Sequence, residues 1–160
     1  METPLTEQMR RAVVPAGRFR RTPLERSDQR ISWDRTDGAF FAAGACHVLA
    51  YRCAATRRRV AIGIQAMRRA DDGAVVHVVA AWGEWLFDFN GWNPASDLLL
   101  ANEEFEQTRF NLHPIEAGVE DFCLRWNHRL PNQYHHDPTG RADAFVRRFT
   151  PLFMAAATSR

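Results

Sequence analysis

Three short apolar segments in the middle of the chain limit its fold most: VAIGIQAM (Val60 to Met67), AVVHVVA (Ala74 to Ala80) and WLFDFN (Trp85 to Asn90). Runs of this length, rich in β-branched and aromatic residues and bounded by Asp-Gly or Gly clusters, read as β-strands. The links are Asp71-Asp72-Gly73 and Trp82-Gly83-Glu84, too short for a crossover, so neighbouring strands must run antiparallel. The consequence is a β-meander.

Around it the pattern is helical. Thr3-Pro4 can cap and open a first helix with Leu5, Met9, Ala12 and Val13 on one face. Arg18 to Arg30 reads as a polar, arginine-rich connector, RISWD as a short strand, and Asp37-Gly38 as a turn. From Gly44 to Thr56 the residues Cys46, Leu49, Ala50 and Cys53 recur along one helical face. After Asn93-Pro94, helices are expected near Asn102 to Phe110, over Glu116 to Leu130 with the stripe Val119, Phe122, Cys123, Trp126 and Leu130, and over Arg141 to Phe149. Pro131 stops the second of these, and NQYHHDPTG reads as a loop. Helices, then a meander, then helices imply an α+β fold.

The 160 residues and the 46% apolar fraction suffice for one domain, 1–160, in which 1–30 could form a partly flexible N-terminal extension. The start has no signal-peptide layout and no apolar run reaches the roughly 18 residues of a membrane span, which points to a cytoplasmic chain, or one exported without a signal. Three cysteines, Cys46, Cys53 and Cys123, are odd in number and sparse, which speaks against a disulfide framework. All 21 basic residues are arginine, yet the net charge is only +2, which argues against a dedicated nucleic-acid binder.

A cysteine behind Gly44-Ala45 at a helix start is where a thiol gains reactivity, because the positive end of the helix dipole favours thiolate. Free backbone N–H groups of the first turn can also polarise a carbonyl. His77 sits mid-strand and is a rigidly mounted candidate base. If Gly83-Glu84 is a two-residue hairpin loop, Trp82 faces Trp85, Val79 faces Asp88 and His77 faces Asn90, so that His77, Asp88 and Asn90 share a face. Asp88 or Asn90 would then orient the imidazole. A three-residue loop without a bulge would send Asp88 to the other face. His47 is a rival base, but consecutive helical residues diverge by about 100°.

GACHVLA followed by HVVAAWGEWLFDFNG resembles the papain-like cysteine hydrolases of the compact bacterial sort, allied to the NlpC/P60 and transglutaminase-like enzymes. The likeness covers Gly44 to Gly91. It implies a Cys-bearing helix packed on an antiparallel meander, with Cys46 as nucleophile, His77 as base and then acid, Asp88 as orienter and Asn90 as its alternative. It implies amide chemistry through an acyl-thioenzyme on a protein or peptide, without a cofactor, and by analogy a toxin or effector delivered into another cell. The glutamine that the papain pattern places before the cysteine has no near equivalent; Gln29 is remote.

Other chemistries find less support. His128, His135, His136 and Asp137 lack zinc-site spacing, although His135 or His136 could line a cleft. Arg57 to Arg59, Arg68-Arg69 and Arg147-Arg148 could grip phosphates but form no single stripe. Cys53 and Cys123 read as packing residues, and Trp92 as a residue that could shelter the site from water. The alternative function is a non-catalytic module of the same fold that uses arginines to hold an acidic protein or nucleic acid.

Overall fold

A computed structural model describes residues 12–56 and 59–149. The N-terminal helix expected over Thr3 to Val13, the pair Arg57-Arg58 and the tail from 150 onward fall wholly or mostly outside the described residues. Among the described residues the fold is α+β, with seven α-helices and one five-stranded antiparallel sheet. Among the described residues no helix is long and apolar enough to cross a membrane.

The region between Thr22 and Ala43 is helical, which corrects the strand expected at RISWD and the turn at Asp37-Gly38. Three short helices, α1 (Pro23–Ser27), α2 (Gln29–Trp33) and α3 (Asp37–Ala42), each start from a capping side chain. Thr22 and Glu25 form a reciprocal capping box around Pro23, Asp28 accepts from the Arg30 and Ile31 amides, and the Thr36 hydroxyl accepts from the Ala39 amide. Each cap satisfies donors that the helix itself leaves open, and replacing one typically costs about 1 kcal/mol.

Helix α4 (Cys46–Thr56) follows, and its first five residues are all buried. It lies in the middle of the molecule, between one face of the sheet and the last helix.

The sheet consists of β1 (Gly63–Arg69), β2 (Val75–Trp82), β3 (Trp85–Asp88), β4 (Gly91–Pro94) and β5 (Phe110–Ile115), in spatial order β4-β3-β2-β1-β5. The expected meander forms its centre. The strands β2 and β3 are joined by the two-residue loop Gly83-Glu84, with Trp82 opposite Trp85 and Ala80 opposite Phe87. Gly83 takes φ +58°, a conformation that suits glycine in such a loop. The third expected strand stops at Asp88; Phe89-Asn90 then turns the chain into β4. Asn90 therefore sits in a hairpin loop, not opposite His77. Both β4 and β5 are additions to the expected meander.

The last three helices are shifted from their expected positions. Helix α5 (Ala95–Glu106) starts right after Pro94 and ends at Gln107, which takes φ +54°. The Phe110 end of the helix expected there belongs to β5. Helix α6 (Val119–Trp126) closes at Asn127 with φ +53°, so Leu130 lies beyond it, and Pro131 opens a single 3-10 turn. Helix α7 (Thr139–Arg147) packs on α4. Arg141 on α7 ties it to the N-terminal helices: its guanidinium donates to Asp37, to the Trp33 carbonyl and to the Arg35 carbonyl, each at 2.7 Å, and stacks 4.2 Å from the Phe40 ring centre.

Two apolar clusters result. The larger joins α4 and α7 to the sheet through Leu49, Val78, Ala80, Phe87 and Phe145. The smaller joins Met67, Val79, Ala81 and Leu86 to Leu98 on α5 and to Phe110. Because β3 pairs with β2 only from Ala80 to Trp82, the first half of β2 is left without that neighbour, and the candidate site opens beside it.

Candidate functional site

The Ala45 carbonyl accepts the Leu49 amide, so α4 begins at Cys46. Amides of a first helical turn have no acceptor within the helix, and together with the dipole they favour negative charge at the Cys46 sulfur. The chain reaches this point through Gly44, whose φ of +103° few other residues would adopt. A Cβ at Gly44 would meet the Arg21 guanidinium at 3.1 Å. Tyr134 holds the same glycine from the other side by donating its hydroxyl to the Gly44 carbonyl.

His77 is held on β2 opposite Met67 of β1 and is 1% exposed. Its Nε2 lies 3.0 Å from Asp88 Oδ2, and Asp88 is 2% exposed. A carboxylate only accepts, so Nε2 carries the proton and Nδ1 is the lone-pair nitrogen of the neutral ring; this tautomer is assigned from the hydrogen-bond network. That Nδ1 is buried without a hydrogen-bond partner, and the Cys46 sulfur is among the groups whose charge acts on the ring.

Asn90 acts one step further out. Its backbone amide and side-chain Nδ2 donate to Asp88 Oδ1, at 2.8 and 3.1 Å, which leaves Oδ2 for the imidazole. Nδ2 also donates to the Val14 carbonyl at 3.0 Å, and Asn90 Oδ1 accepts the Val14 amide at 2.9 Å. Asn90 thus anchors Asp88 and clamps the N-terminal segment over the site. It does not bond His77 itself.

The electrostatics favour a thiolate–imidazolium pair. Burial by itself would raise the Cys46 pKa, but the neighbouring His47 and His77 rings and their positive charge outweigh it and hold the thiol well below its ordinary value. Burial likewise works against a charged His77. Asp88 and the Cys46 sulfur prevail and push it up to about 10.

His47 has a second position in this network. Its Nε2 donates to the Arg129 carbonyl at 2.7 Å, and its ring lies 5.0 Å from that of His128. Burial lowers its pKa, whereas Cys123 and Cys46 raise it, with a net rise to about 9. With Nε2 committed to a backbone carbonyl, His47 supports the sulfur electrostatically and has no carboxylate to orient it as a base.

A cavity of about 650 Å³ opens onto Cys46, Val76 and His77. Four arginines line it, Arg20, Arg21, Arg26 and Arg69, of which the first three belong to the segment read as a connector. The signal was present in RFRRTPLER, whose four arginines share a single acid, but nothing local says that the run folds over Cys46. His128 lines the cavity; His135 and His136 do not, and the His136 ring packs against Trp33 instead. Phe89 lies beside His77, at 6.2 Å between ring centres, and Trp92 packs on Phe87 at 5.3 Å. Gln29 accepts from Arg129 at 2.9 Å. Cys53 and Cys123 are buried, as is Cys46. Among the described residues, no three His, Cys, Asp or Glu side chains gather in a way that could hold a metal ion.

No family model matches this chain, and comparisons with curated proteins and with solved structures found no match.

Proposed function

We propose that the chain is a thiol-dependent hydrolase or acyltransferase of the papain-like kind, acting on an amide bond in a peptide, an isopeptide or a glutamine side chain. The observation that carries this reading is the buried His77–Asp88 hydrogen bond of 3.0 Å, which leaves His77 Nδ1 for the sulfur of a helix-start cysteine at a cavity wall. Burying two ionisable groups is expensive unless they are paired, and the pair does nothing for packing that two apolar residues would not do better. Its use is chemical.

In the first step the Cys46 thiolate attacks the carbonyl carbon and a C–S bond forms. The oxyanion lies against the free first-turn amides of α4. The C–N bond then breaks, and the departing amine takes the proton from His77 Nδ1. In the second step His77 removes a proton from water, or from another nucleophile, which attacks the thioester; the C–S bond breaks, the sulfur leaves as thiolate, and the thiolate–imidazolium pair returns. Asp88 holds Nε2–H throughout and stabilises the imidazolium. No step calls for a cofactor.

The cavity arginines would also suit a non-catalytic module that holds an acidic protein or nucleic acid. Such a module has no need of a depressed thiol pKa, and this difference supplies the test. Rapid, stoichiometric alkylation of Cys46 by iodoacetamide near pH 6, lost in His77→Ala, supports the enzyme. Slow labelling with an ordinary alkaline profile in the wild-type chain refutes it in favour of the binder.

A further inference from the structure

Positive charge around the cavity is unevenly compensated. Arg20 is paired with Glu106, Arg69 lies 3.3 Å from Asp72, and Arg35 lies 3.4 Å from Glu25. Arg129 donates to Gln29 and stacks on Tyr134. Arg21 and Arg26 differ from these. Among the described residues Arg26 donates only to the Arg21 carbonyl, at 3.2 Å, and the partly buried Arg21 guanidinium has no acceptor. The charges nearest Arg21 include three further arginines, Arg129, Arg35 and Arg26, which oppose its own. A guanidinium fork with five donors, held near like charges and given no acceptor, is suited to a ligand that brings anionic oxygens with it.

Its location is specific. The Arg21 guanidinium rests on Gly44, two residues before the nucleophile, and Arg21, Arg26, Cys46 and His77 line one cavity. An anion held there lies beside the carbonyl that the thiolate would attack.

We infer that the substrate carries a carboxylate or phosphate close to its scissile amide, and that Arg21 and Arg26 bind this group while Cys46 reacts. The inference rests on the thiol-enzyme reading above, and it adds what that reading lacks, a substrate class. Removing the anion site leaves the thiol pair in place, so the two ideas can fail separately.

The test compares alkylation of Cys46 in the full chain by iodoacetate, which is anionic, with alkylation by iodoacetamide, which is neutral, at pH 6 and low salt. The ratio of the two rate constants should fall about fivefold in Arg21→Gln, the size of one partly screened charge within ~10 Å, and about as much in Arg26→Gln. Arg21→Lys should retain most of the ratio, and the exposed Arg147→Gln should leave it unchanged. Succinate or inorganic phosphate should slow iodoacetamide labelling of the wild-type chain but not of Arg21→Gln, and whichever protects at the lower concentration names the preferred group; succinamide should not protect. If the ratio and the protection are the same in Arg21→Gln as in wild type while iodoacetamide still reacts rapidly, the anion site is refuted and the thiol reading stands. If iodoacetamide itself labels slowly in the wild-type chain, the thiol reading fails and the inference falls with it. Thermal melts of each variant report whether a lost ratio reflects a lost fold.

Discussion

Replacing Asp88 with asparagine probes the candidate site with little change in shape. Oδ1 of Asp88 accepts two hydrogen bonds from Asn90, so the amide oxygen of the variant takes that position and the amide nitrogen faces His77 Nε2, 3.0 Å away. Two donors would then meet unless His77 gives up its Nε2 proton. The neutral ring moves its proton to Nδ1, the nitrogen left for Cys46, and the imidazolium loses its carboxylate. A hydrogen bond to a charged group contributes about 1.5–3 kcal/mol, and one pKa unit is about 1.36 kcal/mol, so the pair loses roughly one to two units of support. The sign follows from the pair: His77 falls from about 10 toward its ordinary value, and Cys46, no longer beside a stable cation, rises. The window in which thiolate and imidazolium coexist narrows from both ends. On the acid limb the thiolate fraction falls about 10- to 100-fold. Second-order alkylation of Cys46 by iodoacetamide, followed by intact mass between pH 4 and pH 10, measures this directly. The acid limb should move to higher pH in Asp88→Asn while the fold, followed by circular dichroism, remains. Superimposable profiles for wild type and Asp88→Asn would refute the assigned role of the carboxylate.

Two further substitutions test how the site is held. Asn90→Ala removes the side-chain bonds to Asp88 and to both backbone groups of Val14; at about 1 kcal/mol for each net hydrogen bond the chain should lose roughly 2–3 kcal/mol in urea unfolding. Amide exchange at Val14 should also accelerate, and unchanged exchange there would show that Asn90 does not clamp the N-terminal segment. Gly44→Ala forces an L-residue to φ +103° and drives a methyl group to 3.1 Å from Arg21. It should cost roughly 1–3 kcal/mol of stability and slow Cys46 alkylation; a neutral outcome in both would mean that the approach to α4 is less constrained than its geometry implies.

The centre of the sheet was readable because its information is local. Strand alternation and a two-residue Gly-Glu loop determine which residues face one another, and the observed pairs Trp82–Trp85 and Ala80–Phe87 follow from that loop alone. The two strands that escaped notice, β4 and β5, are the sheet edges. Each contains a proline, Pro94 or Pro114, and an edge strand tolerates proline because one side of it needs no ladder bonds. Their patterns are correspondingly weak. The helices between Thr22 and Ala43 were missed for a different reason: the β-like composition of RISWD outweighed three caps that were legible at Thr22, Asp28 and Thr36. At Asn90 a hairpin loop replaced an expected strand end, which moved its contact from His77 to Asp88.

By itself the sequence determined the antiparallel meander and a helix with Cys46 near its start, and it put His77 and Asp88 on one face provided that the Gly83-Glu84 loop has two residues, since each depends on residues a few positions apart. Only the tertiary structure decided that the arginines of the N-terminal segment border the Cys46 cavity, that Asn90 reaches Val14, and that Tyr134 and His128 return to the start of α4. Those contacts close loops of many tens of residues. No local propensity encodes such closures; they form because the two faces of one sheet must both be covered, and the segments that cover them carry their charged side chains to the same opening.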